Sequence, residues 1–166
     1  RSLDEGFLIE SKPLCPKRHK PPRRTSVDDT GLEALLNACE TPLETLIITL
    51  LANTGIRASE ACQIRPTDVD IANGCLFIRH GKGGKDRKVG LSTLVIEAIQ
   101  SHLAKTLPQK YLLEGHKGQP LTRHALHKRI QRIAMRVDIT AYPHALRRSF
   151  VTRNANMGRP LVLLQK

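Results

Sequence analysis

The 166 residues are enough for one domain with a real core, and at 40% hydrophobic content the chain is expected to fold. Lys and Arg outnumber Asp and Glu by 27 to 15, a formal charge of +12 that favours a polyanionic partner. Aromatics at 3%, with no Trp, argue against base stacking as the main binding mode; no apolar run approaches a membrane span, and the first residues lack a signal-peptide core.

Residues 1–24 read as a basic, proline-rich arm. Lys12, Lys17, Arg18, Lys20, Arg23 and Arg24 are interleaved with Pro13, Pro16, Pro21 and Pro22. The prolines oppose helix and strand, and the charge opposes burial. Such an arm suits a path along phosphates, with Arg23 and Arg24 nearest the folded part.

The folded part is expected over 25–166. Leu32, Leu35, Leu36 and Cys39 follow helical spacing. Thr41-Pro42-Leu43-Glu44 is a helix start, with Thr41 as N-cap, Pro42 at the first position and Glu44 completing a capping box. Leu43, Leu46, Ile47, Leu50 and Leu51 make one stripe, and Gly55 ends the helix in a left-handed cap. A short helix from Ala58 to about Ile64 stops before Pro66, which puts Arg57 at a corner between two helices.

Residues 68–91 read as a small antiparallel sheet. The strands are Val69 to Ile71, Leu76 to Arg79 and Arg87 to Leu91, with turns at Asn73-Gly74 and Gly81 to Asp86. Ser92 caps a helix bearing Leu94, Val95, Ala98, Ile99 and Leu103, and a loop covers about 106–121. Thr122 caps the next helix, with Leu126, Ile130, Ile133 and Val137 inward and Lys128, Arg132 and Arg136 on its other side. Pro143 begins a helix that Gly158 ends, and Pro160 begins one more. The fold class is therefore mainly α with a small three-stranded antiparallel sheet. Of the cysteines Cys15, Cys39, Cys62 and Cys75, no pair has metal or redox spacing; Cys39 and Cys62 read as buried thiols in a reducing, cytoplasmic setting.

Three motifs carry chemistry. Thr54-Gly55-Ile56-Arg57-Ala58-Ser59-Glu60 places Glu60 one helical turn from Arg57. Gly81-Lys82-Gly83-Gly84-Lys85 is a hairpin tip and lacks the Walker A pattern; Lys82 and Lys85 compete for any active role. His144-Ala145-Leu146-Arg147 puts an imidazole and a guanidinium on one helix face. Each alone fits an ordinary surface residue of a basic chain. Together they suit a phosphate, because guanidinium forks match phosphate oxygens and lysine adds a movable charge. His116, His124 and His127 lack an acidic or cysteine partner at metal-site spacing. An RNA-binding or ribosomal protein would fit the charge but not the spaced Arg, His and Arg.

In order and spacing, TGIRASE, GKGGKDR and HALRRSF resemble the tyrosine recombinase (phage integrase) family. The resemblance implies the DNA breaking-rejoining enzyme catalytic-domain fold and DNA strand cleavage through a 3′-phosphotyrosyl intermediate, without metal or cofactor. It implies Arg57, Lys82, His144 and Arg147 as catalytic residues, with Glu60 supporting Arg57. Double-stranded DNA is the expected partner, contacted by Lys85, Arg87, Lys128, Arg132, Arg136, Arg23 and Arg24. Family members work as tetramers on two duplexes. The family places its nucleophilic tyrosine downstream of the H-x-x-R helix. This sequence reaches Lys166 before that point, and Tyr111 and Tyr142 stand elsewhere. The expectation is a catalytic domain cut short before its nucleophile. The competing expectation is a non-catalytic DNA-binding module or regulator that uses the basic helix over 122–137.

Overall fold

The computed structural model describes residues 27–79, 86–108 and 110–158. The hairpin tip with Lys82 and Lys85, the arm with Arg23 and Arg24, and the helix expected from Pro160 lie outside them. The order is α1 (Asp29–Asn37), α2 (Pro42–Thr54), α3 (Ala58–Gln63), β1 (Val69–Asp70), β2 (Cys75–Ile78), β3 (Arg87–Gly90), α4 (Thr93–Thr106), α5 (Arg123–Met135) and α6 (Pro143–Asn156). Helices dominate, and one three-stranded antiparallel sheet of order β1-β2-β3 accompanies them, as the sequence predicts.

α2 is the axis of the fold. It packs against α1, α4, α5 and α6, and Leu46, Ile47, Ile48, Leu50, Leu51 and Ala52 are all fully buried. The expected single stripe is thus too narrow. A helix that is apolar all round belongs inside a core, and here the other helices surround it. Its ends follow the sequence in part. Thr41 Oγ1 accepts the Glu44 N–H at 3.2 Å, and Gly55 takes φ 62° as a left-handed cap. The Glu44 carboxylate, however, accepts the Glu40 N–H at 2.9 Å instead of closing the box onto Thr41.

The sheet is a short meander. Val69 pairs with Leu76, Leu76 with Val89, and Ile78 with Arg87. Leu76 and Ile78 point into the core, while Phe77 faces outward with Lys88 Nζ 4.8 Å from its ring centre. Each strand ends one residue earlier than expected, and β2 also begins one residue earlier, at Cys75. Ser92 does begin α4, but its side chain makes no cap hydrogen bond.

The segment expected as a plain loop, 106–121, is pinned. Leu112 donates to the Ile64 carbonyl at 2.7 Å, Leu121 donates to Leu113, and His102 Nε2 lies 3.0 Å from the Leu112 carbonyl. Leu112 and Leu113 are fully buried. Cys62 is buried and Cys39 half-buried, and burial pushes both thiols up to about 11.

Candidate active site

Arg57 is placed by two turns of backbone. Gly55 ends α2, Ile56 plugs the core, and Arg57 is the N-cap of α3 with extended φ −76° and ψ 151°. Glu60, one turn into α3, reaches back: its Oε2 accepts the Arg57 N–H at 2.7 Å and its Oε1 takes Arg57 Nη1 at 3.1 Å. The same carboxylate is gripped from the sheet. Arg87 donates Nη1 to Oε1 at 2.9 Å and Nη2 to Oε2 at 2.8 Å, a bidentate fork.

Burial alone would raise the pKa of Glu60. The hydrogen bonds from Arg87 and from the Arg57 backbone outweigh that and hold it down to about 2. Its side chain is only 6% exposed and stays ionised. The Arg57 side chain is 37% exposed, so one edge of the guanidinium rests on Glu60 while the group reaches solvent.

Arg147 comes from α6 and faces the same place. Its Nη1 is buried and has no hydrogen-bond partner among the described residues. Burial depresses its pKa first, repulsion from Arg57 and Arg87 adds to that, and attraction to Glu60 opposes it. A guanidinium stays charged under such conditions. The effect is therefore a charge held close to two others and compensated by a single carboxylate. His144, exposed one turn earlier, lines an open depression with Arg147, Arg148, Val151 and Thr152.

The two arginine corners touch through an apolar contact that sequence reasoning missed. A Cβ on Gly55 would overlap the Phe150 ring, with Cε1 at 2.9 Å and Cγ at 3.1 Å. Phe150 is three residues beyond Arg147, and Gly55 is two before Arg57. Arg153, two turns below Arg147 on α6, donates to the Ala52 carbonyl of α2. These contacts fix α6 against the α2–α3 corner.

Two of the cations expected on DNA are committed elsewhere. Arg136 lies just past the end of α5 and pairs with Glu44 at 2.7 Å and Glu40 at 2.9 Å, while also donating to the Ala38 carbonyl. Arg87, 19% exposed, has both terminal nitrogens on Glu60. The physical reason is the same for both: a buried carboxylate nearby binds a guanidinium more firmly than solvent does. Lys128 and Arg132 are exposed on α5.

Arg57 at a helix corner, Arg87 on a strand and Arg147 on a facing helix thus gather positive charge around Glu60 in a mostly helical domain. The chain belongs to the phage integrase family, whose model matches residues 26–166. It is 29% identical to the tyrosine recombinase XerA of Saccharolobus solfataricus over 162 residues, covering 95% of this chain and 52% of that protein. It is 36% identical to XerD of Staphylococcus saprophyticus over 130 residues, covering 72% and 43%. The chain thus spans about half the length of the curated relatives it matches.

Solved structures carry the same fold. A crystal structure of XerA recombinase superposes with a TM-score of 0.80 at 24% identity, covering 91% of this chain and 56% of that one. XerH site-specific recombinase, bound to its difH substrate in a pre-cleavage complex, superposes at 0.71 with 28% identity, covering 85% and 45%.

Proposed function

We propose that this chain is the phosphate-activating part of a site-specific DNA recombinase and grips the scissile phosphate of duplex DNA while a tyrosine attacks it. The observation that carries the reading is the convergence of Arg57 and Arg147 on one neighbourhood, with Arg147 Nη1 buried and unpartnered among the described residues. A buried donor without an acceptor is costly, and a non-bridging phosphate oxygen is the acceptor that suits it.

In the proposed step a tyrosine hydroxyl oxygen attacks phosphorus and loses its proton. A P–O bond to tyrosine forms, the P–O5′ bond breaks, and the leaving oxygen takes a proton to become a free 5′-hydroxyl. Arg57 and Arg147 stabilise the charge that builds on the non-bridging oxygens. Lys82, from the hairpin between β2 and β3, supplies the proton to the 5′-oxygen, and His144 assists at the phosphate or at the attacking hydroxyl. Attack by a second strand's 5′-hydroxyl reverses the step, so the bond energy is retained without ATP. Neither Tyr111 nor Tyr142 is proposed as the nucleophile; Tyr142 is the N-cap of α6 and packs against the core. Assembly as a tetramer on two duplexes, in the cytoplasm, belongs to the same reading.

The test uses the intact encoded protein and a nicked suicide duplex, which traps the covalent adduct in a single turnover. Arg57→Ala and Arg147→Ala should each slow adduct formation by about a hundredfold or more, with DNA affinity changed only a few-fold. Adduct formation at the parent rate in either variant would refute the assignment. A protein that binds duplex but never forms an adduct would be the binding module instead.

A further inference from the structure

Three guanidiniums surround Glu60, and they do different things. Arg57 is part-exposed and touches the carboxylate through a single terminal nitrogen. Arg147 makes no hydrogen bond to it but feels its charge. Among the guanidiniums of the described residues, that of Arg87 grips both oxygens, from the first residue of β3. We propose that Arg87 is a positioning residue: by clamping Glu60 from the sheet, it fixes the orientation in which Arg57 is presented to the phosphate. The proposal rests on the reading of Arg57 and Arg147 as the phosphate site.

Glu60 has two oxygens and receives four donors: two from Arg87, the backbone N–H of Arg57 and the Arg57 side chain. A carboxylate on one helical turn, tied only to its own N-cap, can rotate about its side-chain torsions. A bidentate fork from a separate element removes that freedom, because two parallel bonds define a plane. Arg87 is itself anchored by the ladder, where it pairs with Ile78 of β2. Ile78 is buried, which places Arg87 on the inner face of the sheet, toward α3. The line of contact therefore runs from the β2–β3 ladder through Arg87 and Glu60 to Arg57. Because residues 80–85 join β2 to β3, the strand bearing Arg87 is also the strand that leads out of the Lys82 segment.

A direct phosphate contact by Arg87 is the alternative, and the geometry opposes it. Both terminal nitrogens face Glu60, and only 19% of the side chain is exposed. A lysine at this position would keep the charge but could not reach both oxygens in one plane.

The experiment compares Arg87→Lys, Glu60→Gln and the double variant in the intact encoded protein. Readouts are the single-turnover adduct rate, DNA affinity against salt, and thermal melting to confirm folding. Arg87→Lys should fold and lose roughly tenfold to a hundredfold in adduct rate, because a displacement of about 1 Å in a positioned group costs on that order. Its salt slope for DNA binding should match the parent, since no phosphate contact is removed. Adding Arg87→Lys to Glu60→Gln should slow the reaction less than threefold further, since the clamp has lost its target. The proposal is overturned if Arg87→Lys reacts at the parent rate, if it lowers the salt slope by about one, or if its full effect persists beside Glu60→Gln. Normal cleavage by Arg57→Ala or Arg147→Ala would instead sink the underlying site, whatever Arg87 does.

Discussion

Gly55→Ala isolates the contact that holds the two arginine corners together. Two costs add. Gly55 sits at φ 62°, where an L-residue loses roughly 1–2 kcal/mol. The new Cβ also overlaps the Phe150 ring, 2.9 Å from Cε1, and the ring must move within a packed helix pair. Overpacking of that kind costs about 1–3 kcal/mol. The sum is about 2–5 kcal/mol, which for a chain of this size is a drop of roughly 5–15 °C in melting temperature. Urea unfolding of parent, Gly55→Ala, Phe150→Ala and the double variant separates the costs. With the ring removed, the added methyl has room, and the Gly55→Ala penalty should fall to its backbone part of about 1–2 kcal/mol. A loss under about 1 kcal/mol in the parent, or an equal loss in both backgrounds, would refute the argument that Phe150 crowds this glycine.

Two further outcomes are expected. Glu60 has its folded pKa lowered to about 2 from the ordinary 4.5, so the stability it contributes is complete above pH 4.5 and fades as pH falls toward 2. The advantage of parent over Glu60→Gln in urea midpoint should narrow over that range; a constant difference would contradict it. Arg136→Met leaves the Glu44 carboxylate, 5% exposed, without its main partner and should lower the urea midpoint while leaving the salt slope of DNA binding unchanged. A slope lowered by about one would return Arg136 to the set expected on DNA with Lys128 and Arg132.

Local signals in this chain were legible where one residue answers to one rule. Thr41 with Pro42, Thr122 and Pro143 each mark a helix start, and Gly55 marks a stop, because caps and fixed φ values depend on neighbours in sequence. The arginine corners were visible for the same reason. What was not visible depends on the third dimension. Arg136 follows the spacing of a solvent stripe, yet Glu40 and Glu44, about ninety residues earlier, claim it. Gly55 reads as a helix cap, and nothing near it in sequence announces Phe150 across the α2–α6 contact. The pairing of Arg87 with Glu60 was missed although a signal existed. Strand alternation puts it in phase with Val89, not with the exposed Lys88, so its side chain had to face the core side and find a carboxylate there.

The placement of Glu60 explains how so much positive charge can be gathered at one spot. Arg57, Arg87 and Arg147 would repel one another if only solvent lay between them; in the lowered pKa of half-buried Arg147 that repulsion adds to the larger effect of burial. One carboxylate, ionised at any pH above about 2, offsets part of it and leaves a net surplus. If Glu60 were absent, the arginines would splay outward toward water. If a second carboxylate were present, the surplus would be halved and a phosphate would gain less by entering. A single carboxylate, gripped by Arg87 from the sheet, leaves Arg57 and Arg147 oriented but under-compensated. Under the proposed function that is the useful state. The donors are held in place by the buried α2 helix, the Gly55–Phe150 contact and the β-ladder before any substrate arrives. Charge that develops on a phosphate then meets dipoles already aligned, with no reorganisation left to perform at the moment of reaction.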